Sequence, residues 1–201
     1  MSDLFNEKAK DWDASEMKRL ISSKVSSSIV KHVPLHSKMD VIDFGAGTGL
    51  ISSQIVPYVN KIIAVDISKA MLDKLVSKPE LQGKVEAICQ NIINEPLNSQ
   101  FDLIMSAMAL HHVEDTLELI STFSNHLKPG AKVALADLDK EDGSFHPEGT
   151  EGVFHAGFDR QALQTLLERN GFIDIQFYTA HIVHVKEKQY PVFLVVATKH
   201  E

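Results

Sequence analysis

Four histidines stand where chemistry is expected. The chain has 201 residues and ten histidines. His111 and His112 follow the apolar run Phe101–Ser106, and His146 and His155 follow Lys132–Leu138. An imidazole near its ordinary pKa takes a proton from a hydroxyl or an amine, so each is a candidate catalytic base. The competing use is structural, with His111 packing its loop and His146 and His155 solvated. Metal ligation is not expected. None of the four pairs at the i, i+4 spacing of a helical metalloprotease site. The single cysteine, Cys89, excludes a cysteine-based zinc site and an internal disulfide. It reads as a buried strand residue without a cationic neighbour to activate it. Asp137, Asp139, Glu141 and Asp142 read as strand-end acids and a solvated loop rather than a magnesium site.

A second constellation points to a ligand. Asp43-Phe-Gly-Ala-Gly-Thr-Gly49 follows an apolar run and opens a helical pattern. Glycines there let the backbone turn tightly and approach a ligand, and the helix start adds unpaired amides. Asp66 ends the next apolar run, where an acid accepts hydrogen bonds from both hydroxyls of a ribose. A dinucleotide fingerprint needs a third glycine at position 50, but Leu50 stands there and the glycine comes one residue early, at Gly49. Asp43 adds a carboxylate that repels a pyrophosphate and tolerates a cationic sulfonium or ammonium.

The elements that must position these residues alternate. Met39–Phe44, Lys61–Asp66, Lys84–Ile88, Phe101–Ser106 and Lys132–Leu138 are short and apolar, as strands buried on both faces are. Helical stripes lie between them: Leu50, Ile51, Ile55 and Val56; Met71, Leu72, Leu75 and Val76 after the cap Ser68; Leu117, Ile120 and Phe123 after Asp115; and Ala162, Leu163, Leu166 and Leu167 after Asp159. Phe172–Thr179 and Pro191–Thr198 have no helix between them, so they predict an antiparallel hairpin. The expected fold is a three-layer, doubly wound α/β domain with a seven-stranded, mostly parallel sheet and a C-terminal antiparallel hairpin. Residues 1–38 read as an amphipathic helical appendage, with Trp12, Met17, Leu20, Ile21 and Val25 as its apolar contacts, and 39–201 as the catalytic domain.

Composition bounds the function. A net charge of −7 without a basic run argues against nucleic acid. No apolar run approaches a membrane span, and the acidic opening residues do not form a signal peptide, so a cytoplasmic protein is expected.

Together these residues resemble class I S-adenosylmethionine-dependent methyltransferases of the small-molecule type, similar to the ubiquinone- and menaquinone-biosynthesis-like group. The resemblance lies in Asp43–Gly49, Asp66, the segment Phe101–His112, Leu127-Lys-Pro-Gly130 and the reversed last strand, and covers roughly residues 39–198. The opening Phe5–Asp13 resembles the lids of small-molecule members. The resemblance implies a Rossmann-like methyltransferase fold that binds S-adenosylmethionine and releases S-adenosylhomocysteine. It further implies that Asp43, Gly45, Ala46, Gly47 and Gly49 cradle the cofactor, with Ser106 and Ala107 beside its methionine part. Asp66 would hold the ribose, Ile67 and Met71 flank the adenine, Gln90, Asn91 and Ile92 close over its edge, and Trp12 cover it. Metal-dependent catechol-type members carry an acid where this chain has Met105-Ser106. Members that methylate amides or base amines carry an Asn-Pro-Pro-Tyr-like segment where it has Ser106-Ala-Met-Ala109. A small-molecule methyl acceptor is therefore expected. The alternatives are a nicotinamide-dependent oxidoreductase, which Leu50 disfavours, and a non-catalytic S-adenosylmethionine-binding module.

Overall fold

In the computed structural model, which describes residues 5–201, seven strands form one sheet in the order β3-β2-β1-β4-β5-β7-β6. They are β1 (Asp40–Phe44), β2 (Lys61–Asp66), β3 (Val85–Cys89), β4 (Phe101–Ala107), β5 (Leu127–Leu138), β6 (Phe172–Val185) and β7 (Lys188–Lys199). β1 to β5 run parallel, and β7 is antiparallel to both β5 and β6. The expected sheet and hairpin are both present. The chain continues as strand on either side of Lys186-Glu187, so the hairpin is longer than expected.

Period-two alternation sends neighbouring side chains to opposite faces. Val41, Leu103, Ala134 and Leu194 join one core, and Ile42, Ile104, Val133 and Phe193 join the other. The first core is covered by α1 (Glu16–His32), α2 (Ser52–Ile55) and α3 (Lys69–Val76), and the second by α4 (Thr116–Asn125) and α5 (Arg160–Arg169). The caps are formed by the expected residues. Ser68, Asp115 and Asp159 accept from the amides of Met71, Glu118 and Ala162.

Several expected contacts differ. Leu117 and Val76 are exposed, and Leu119 joins Ile120 and Phe123 inside. Ala162 is exposed too. The helix after the glycine loop is one turn long, because Pro57 lies two residues beyond it and the chain tightens into a 3-10 turn at Val56–Tyr58. Cys89 is exposed, since β3 is an edge strand with no neighbour on one side.

Helix α1 is a covering element of the sheet rather than an appendage to it. Its Ile21, Val25 and Ile29 lie in the first core together with Val192, Leu194 and Val196 of β7, while Leu20 is exposed and Met17, partly exposed, borders the carboxyl-edge cavity. The preceding 3-10 helix, Lys8–Ala14, and the first turns of α1 reach the carboxyl edge of the sheet, and Met1–Leu4 lie outside the described residues. Among the described residues, no helix is long and apolar enough to cross a membrane.

Candidate active site

The strand order reverses between β1 and β4, and the crevice at the carboxyl ends of the strands opens there. A cavity of about 730 Å³ occupies it, within the usual size of small-molecule sites. All five parallel strands feed it. Its wall includes Gly45–Thr48 after β1, Asp66 and Ile67 at the end of β2, Gln90 and Asn91 after β3, Ala107–Val113 after β4 and Phe145–Pro147 after β5 except for Leu110.

The glycine loop is shaped for close approach. Gly45, Gly47 and Gly49 all adopt positive φ, which side chains rarely tolerate. A Cβ on Gly47 would meet nothing within 4 Å, so this glycine leaves open space beside the cavity. A Cβ on Gly49 would lie 2.8 Å from Leu75 Cγ. Gly49 is therefore not in the cavity wall. It lets the loop pack on α3, the role that a dinucleotide motif gives to its third glycine.

Asp66 links the loop to β2. Its Oδ2 accepts from the amide of Gly47 at 2.8 Å, and its Oδ1 from the amide of Ser68 at 2.8 Å. Asp43 is fully buried, lies against the cavity, and accepts from the Ser52 hydroxyl at 2.6 Å. Burial pushes its carboxyl up to about 7. The Ser52 hydrogen bond opposes the rise, and the nearby charge of Asp66 adds to it.

Of the expected cofactor residues, Asp43, Gly45, Ala46, Gly47, Asp66, Ile67, Met71, Gln90, Asn91, Ala107 and Trp12 share this cavity. Two more stand behind its wall, like Gly49. Ile92 is wholly buried in the second core, and Ile93 takes its place in the wall. Ser106 is buried, and its hydroxyl donates to the carbonyl of Phe44 at 2.8 Å, tying β4 to β1.

The histidines divide. His111, His112 and His146 line the cavity with ring centroids 4.1 to 6.2 Å apart. His155 does not join them. Its Nε2 lies 2.9 Å from the carbonyl of Val113 and 3.2 Å from that of Glu114, so it donates there and fastens the loop after β5 to the start of α4. His112 Nδ1 donates to the carbonyl of Gly152. Burial, with the neighbouring His111, lowers the His112 pKa to about 4, so its ring stays neutral at physiological pH. His146 is lowered as well, chiefly by burial.

His111 is paired with Asp137, an acid inside the otherwise apolar end of β5. Nδ1 stands 2.7 Å from Asp137 Oδ1, and both side chains are buried. An acid at a buried strand position needs such a partner, and this was the signal in the sequence. Three further features were not legible. Met108, directly after β4, holds a positive φ at the cavity wall, a conformation that costs about 1–3 kcal/mol. Lys18 of α1 lies over the Trp12 ring at 3.2 Å from its centroid. Asp13 accepts from the Thr48 hydroxyl and pairs with Lys78 at 2.8 Å, latching the 3-10 helix onto the glycine loop. Among the described residues, no group of His, Cys, Asp or Glu is placed to hold a metal ion.

A methyltransferase-domain family matches residues 14–182. This chain is a member of that family. It is 32% identical over 149 residues to an uncharacterized methyltransferase of Schizosaccharomyces pombe, covering 66% of this chain and 52% of the relative. It is 26% identical over 171 residues to the mitochondrial ubiquinone biosynthesis O-methyltransferase of Dictyostelium discoideum, covering 69% and 52%. The methyltransferase chain thus spans about half the length of these two relatives. Its fold matches phosphoethanolamine N-methyltransferase 2 of Haemonchus contortus, solved with phosphomonomethylethanolamine and S-adenosylhomocysteine. The TM-score is 0.75 at 14% identity, over 99% of this chain and 60% of that one. The domain therefore has the fold of S-adenosylmethionine-dependent methyltransferases.

Proposed function

We propose that this domain transfers a methyl group from S-adenosylmethionine to a small-molecule acceptor in the cytoplasm. One observation carries the reading: a single cavity joins the glycine loop, Asp66 and the histidine-bearing loops. The cofactor fits the residues present. Gly47 leaves the space that a ligand backbone contact needs, Asp66 offers a carboxylate to the ribose hydroxyls, and Ile67 and Met71 offer apolar faces to the adenine. When bound, the cofactor supplies an electrophilic methyl group on a positively charged sulfur. The wall residues hold the two reactants together, and such proximity is worth about 7–11 kcal/mol.

The acceptor end suits a small molecule. It is walled by Phe5, Trp12, Met108, Phe145 and Phe154 beside the three histidines. The net charge of −7 does not favour a phosphate backbone. Within residues 1–38, the segment from Phe5 through Lys8–Ala14 acts as the lid, latched by Asp13 and shedding water when it closes.

Calorimetry with S-adenosylhomocysteine, S-adenosylmethionine, NAD and NADP tests the cofactor. Binding of the first two alone is expected, and binding of a nicotinamide instead overturns the reading. Incubation with methyl-labelled S-adenosylmethionine and a metabolite extract tests the acceptor. Label should enter small organic products. Tight cofactor binding without transfer identifies a sensor module instead.

A further inference from the structure

Two lysines stand at the acceptor end, and neither makes an ion pair among the described residues. Lys18 is the one lysine or arginine in the cavity wall among those residues. Its Nζ lies 3.2 Å from the centroid of the Trp12 ring, and Lys8 Nζ lies 5.2 Å from that of Phe5. The two rings meet edge to face at 6.0 Å, and Phe5 meets His112 at 5.1 Å. One aromatic cluster thus brings both ammonium groups to the histidine loops.

The nearby acids are already engaged. Burial and the charge of Lys8 lower the Lys18 pKa, and Asp13 opposes them. Asp13 spends one oxygen on the Thr48 hydroxyl and the other on Lys78. Lys8 also acts on His146, where Asp137 and Glu141 oppose it. Asp137 is held by His111, and Glu141 accepts from the amides of Ser144 and Phe145. Like charges brought together without a free counter-charge are costly, and a bound anion removes that cost. Glu114, Asp115 and Glu118 border the same cavity at the start of α4, where Asp115 caps the helix through the amide of Glu118. They are not among the charges that act on Lys18, His112 or His146. The cavity is therefore divided, with acids at the α4 side and cations at the lid.

Two more polar groups at the lid side lack partners. The Nε2 atoms of His111 and His146 are buried and unbonded among the described residues, with ring centroids 5.0 Å apart. Such atoms in a cavity wall mark the place of polar ligand atoms.

We infer, resting on the methyltransferase reading, that the methyl acceptor is a small carboxylic acid whose carboxylate seats on Lys18, with Lys8 beside it, under the Phe5–Trp12 lid. A single negative charge suits two point-like ammonium groups better than a phosphate dianion does, because five acids line the rest of the wall: Asp43, Asp66, Glu114, Asp115 and Glu118. The lid then closes on the acceptor through charge as well as through apolar contact.

Benzoate, benzamide and benzylamine have one ring and three charges, and calorimetry with saturating S-adenosylhomocysteine compares them. Benzoate should bind about 10-fold or more tighter than benzamide, benzylamine should bind weakest, and the preference for benzoate should shrink as salt is added. Lys18→Met and Lys8→Met should each weaken benzoate about 10-fold and leave benzamide unchanged, and Lys18→Arg should keep the preference. With methyl-labelled S-adenosylmethionine and a metabolite extract split on an anion exchanger, the acceptor should be in the retained fraction. Equal affinity for benzoate and benzamide, or label entering only unretained compounds, overturns the inference. So does a Lys18→Met variant that loses affinity for S-adenosylhomocysteine but not for its decarboxylated analogue, which assigns Lys18 to the cofactor carboxylate. The wild-type comparison decides even if a variant does not fold. Failure of S-adenosylhomocysteine to bind overturns the methyltransferase reading instead.

Discussion

The amide of Gly47 donates to the carboxylate of Asp66 at 2.8 Å, so the loop after β1 and the acid that ends β2 are one hydrogen-bonded unit. Asp66 orders the glycine loop in addition to facing the cavity. Its other oxygen holds Ser68, the cap of α3.

Asp66→Ala should therefore act twice. Loss of the charge-assisted bonds to a ribose, about 1.5–3 kcal/mol, should weaken S-adenosylhomocysteine binding roughly 10- to 150-fold. The amides left without an acceptor should lower the melting temperature as well. Calorimetry and a thermal melt measure the two effects, and an unchanged dissociation constant removes Asp66 from the cofactor site.

Gly47→Val should separate binding from folding. The site has open space around a Cβ but a backbone φ of 53°, which a β-branched residue adopts only with strain. A cooperative melt should persist at reduced temperature while cofactor binding disappears. Native affinity in the variant would show that this loop is not the cradle.

Trp12 is the only tryptophan and lies in the cavity wall. Its emission should change when S-adenosylhomocysteine saturates the protein. Asp13→Ala removes the latch to Thr48 and Lys78, and should speed cofactor release about 5- to 30-fold, the equivalent of 1–2 kcal/mol. Stopped-flow fluorescence measures both. Identical spectra with and without ligand, and an unaltered off-rate, count against the lid.

The Asp43 carboxyl, raised to about 7 by burial, makes stability depend on pH. The folded state holds this proton more tightly than the unfolded chain, whose Asp titrates near 3.9. The stabilising contribution is full below about pH 4 and is lost as pH rises through 7. Asp43→Asn should match the wild type near pH 4 and exceed its melting temperature at pH 8. Equal melting temperatures at pH 8 would show that Asp43 ionises at no cost.

His155→Ala should behave as a structural variant. Its ring serves the carbonyls of Val113 and Glu114 outside the cavity. A lower melting temperature with unchanged S-adenosylhomocysteine affinity is expected, and a loss of affinity with an unchanged melt contradicts that placement.

Local signals in the sequence determined the architecture. The apolar runs, their alternation with helical stripes, the caps Ser68, Asp115 and Asp159, and the missing crossover before β7 are properties of neighbouring residues, and they specify strands, helices and direction. The glycine loop and Asp66 were legible for the same reason: both sit at strand ends, and a doubly wound sheet brings strand ends to one edge. Only the tertiary structure decided where side chains point. His111 and His112 are adjacent in sequence, yet one ring is held by Asp137 and the other by Gly152. His155 shares a loop with His146 but turns to the start of α4, where its Nε2 meets the carbonyls of Val113 and Glu114. Ser106 and Ile92 read as cofactor contacts, but the pleat of β4 turns Ser106 inward and the turn after β3 buries Ile92 in the second core. The packing of α1 (Glu16–His32) onto the hairpin (Phe172–Lys199) joins elements far apart in sequence, a contact that no local pattern encodes.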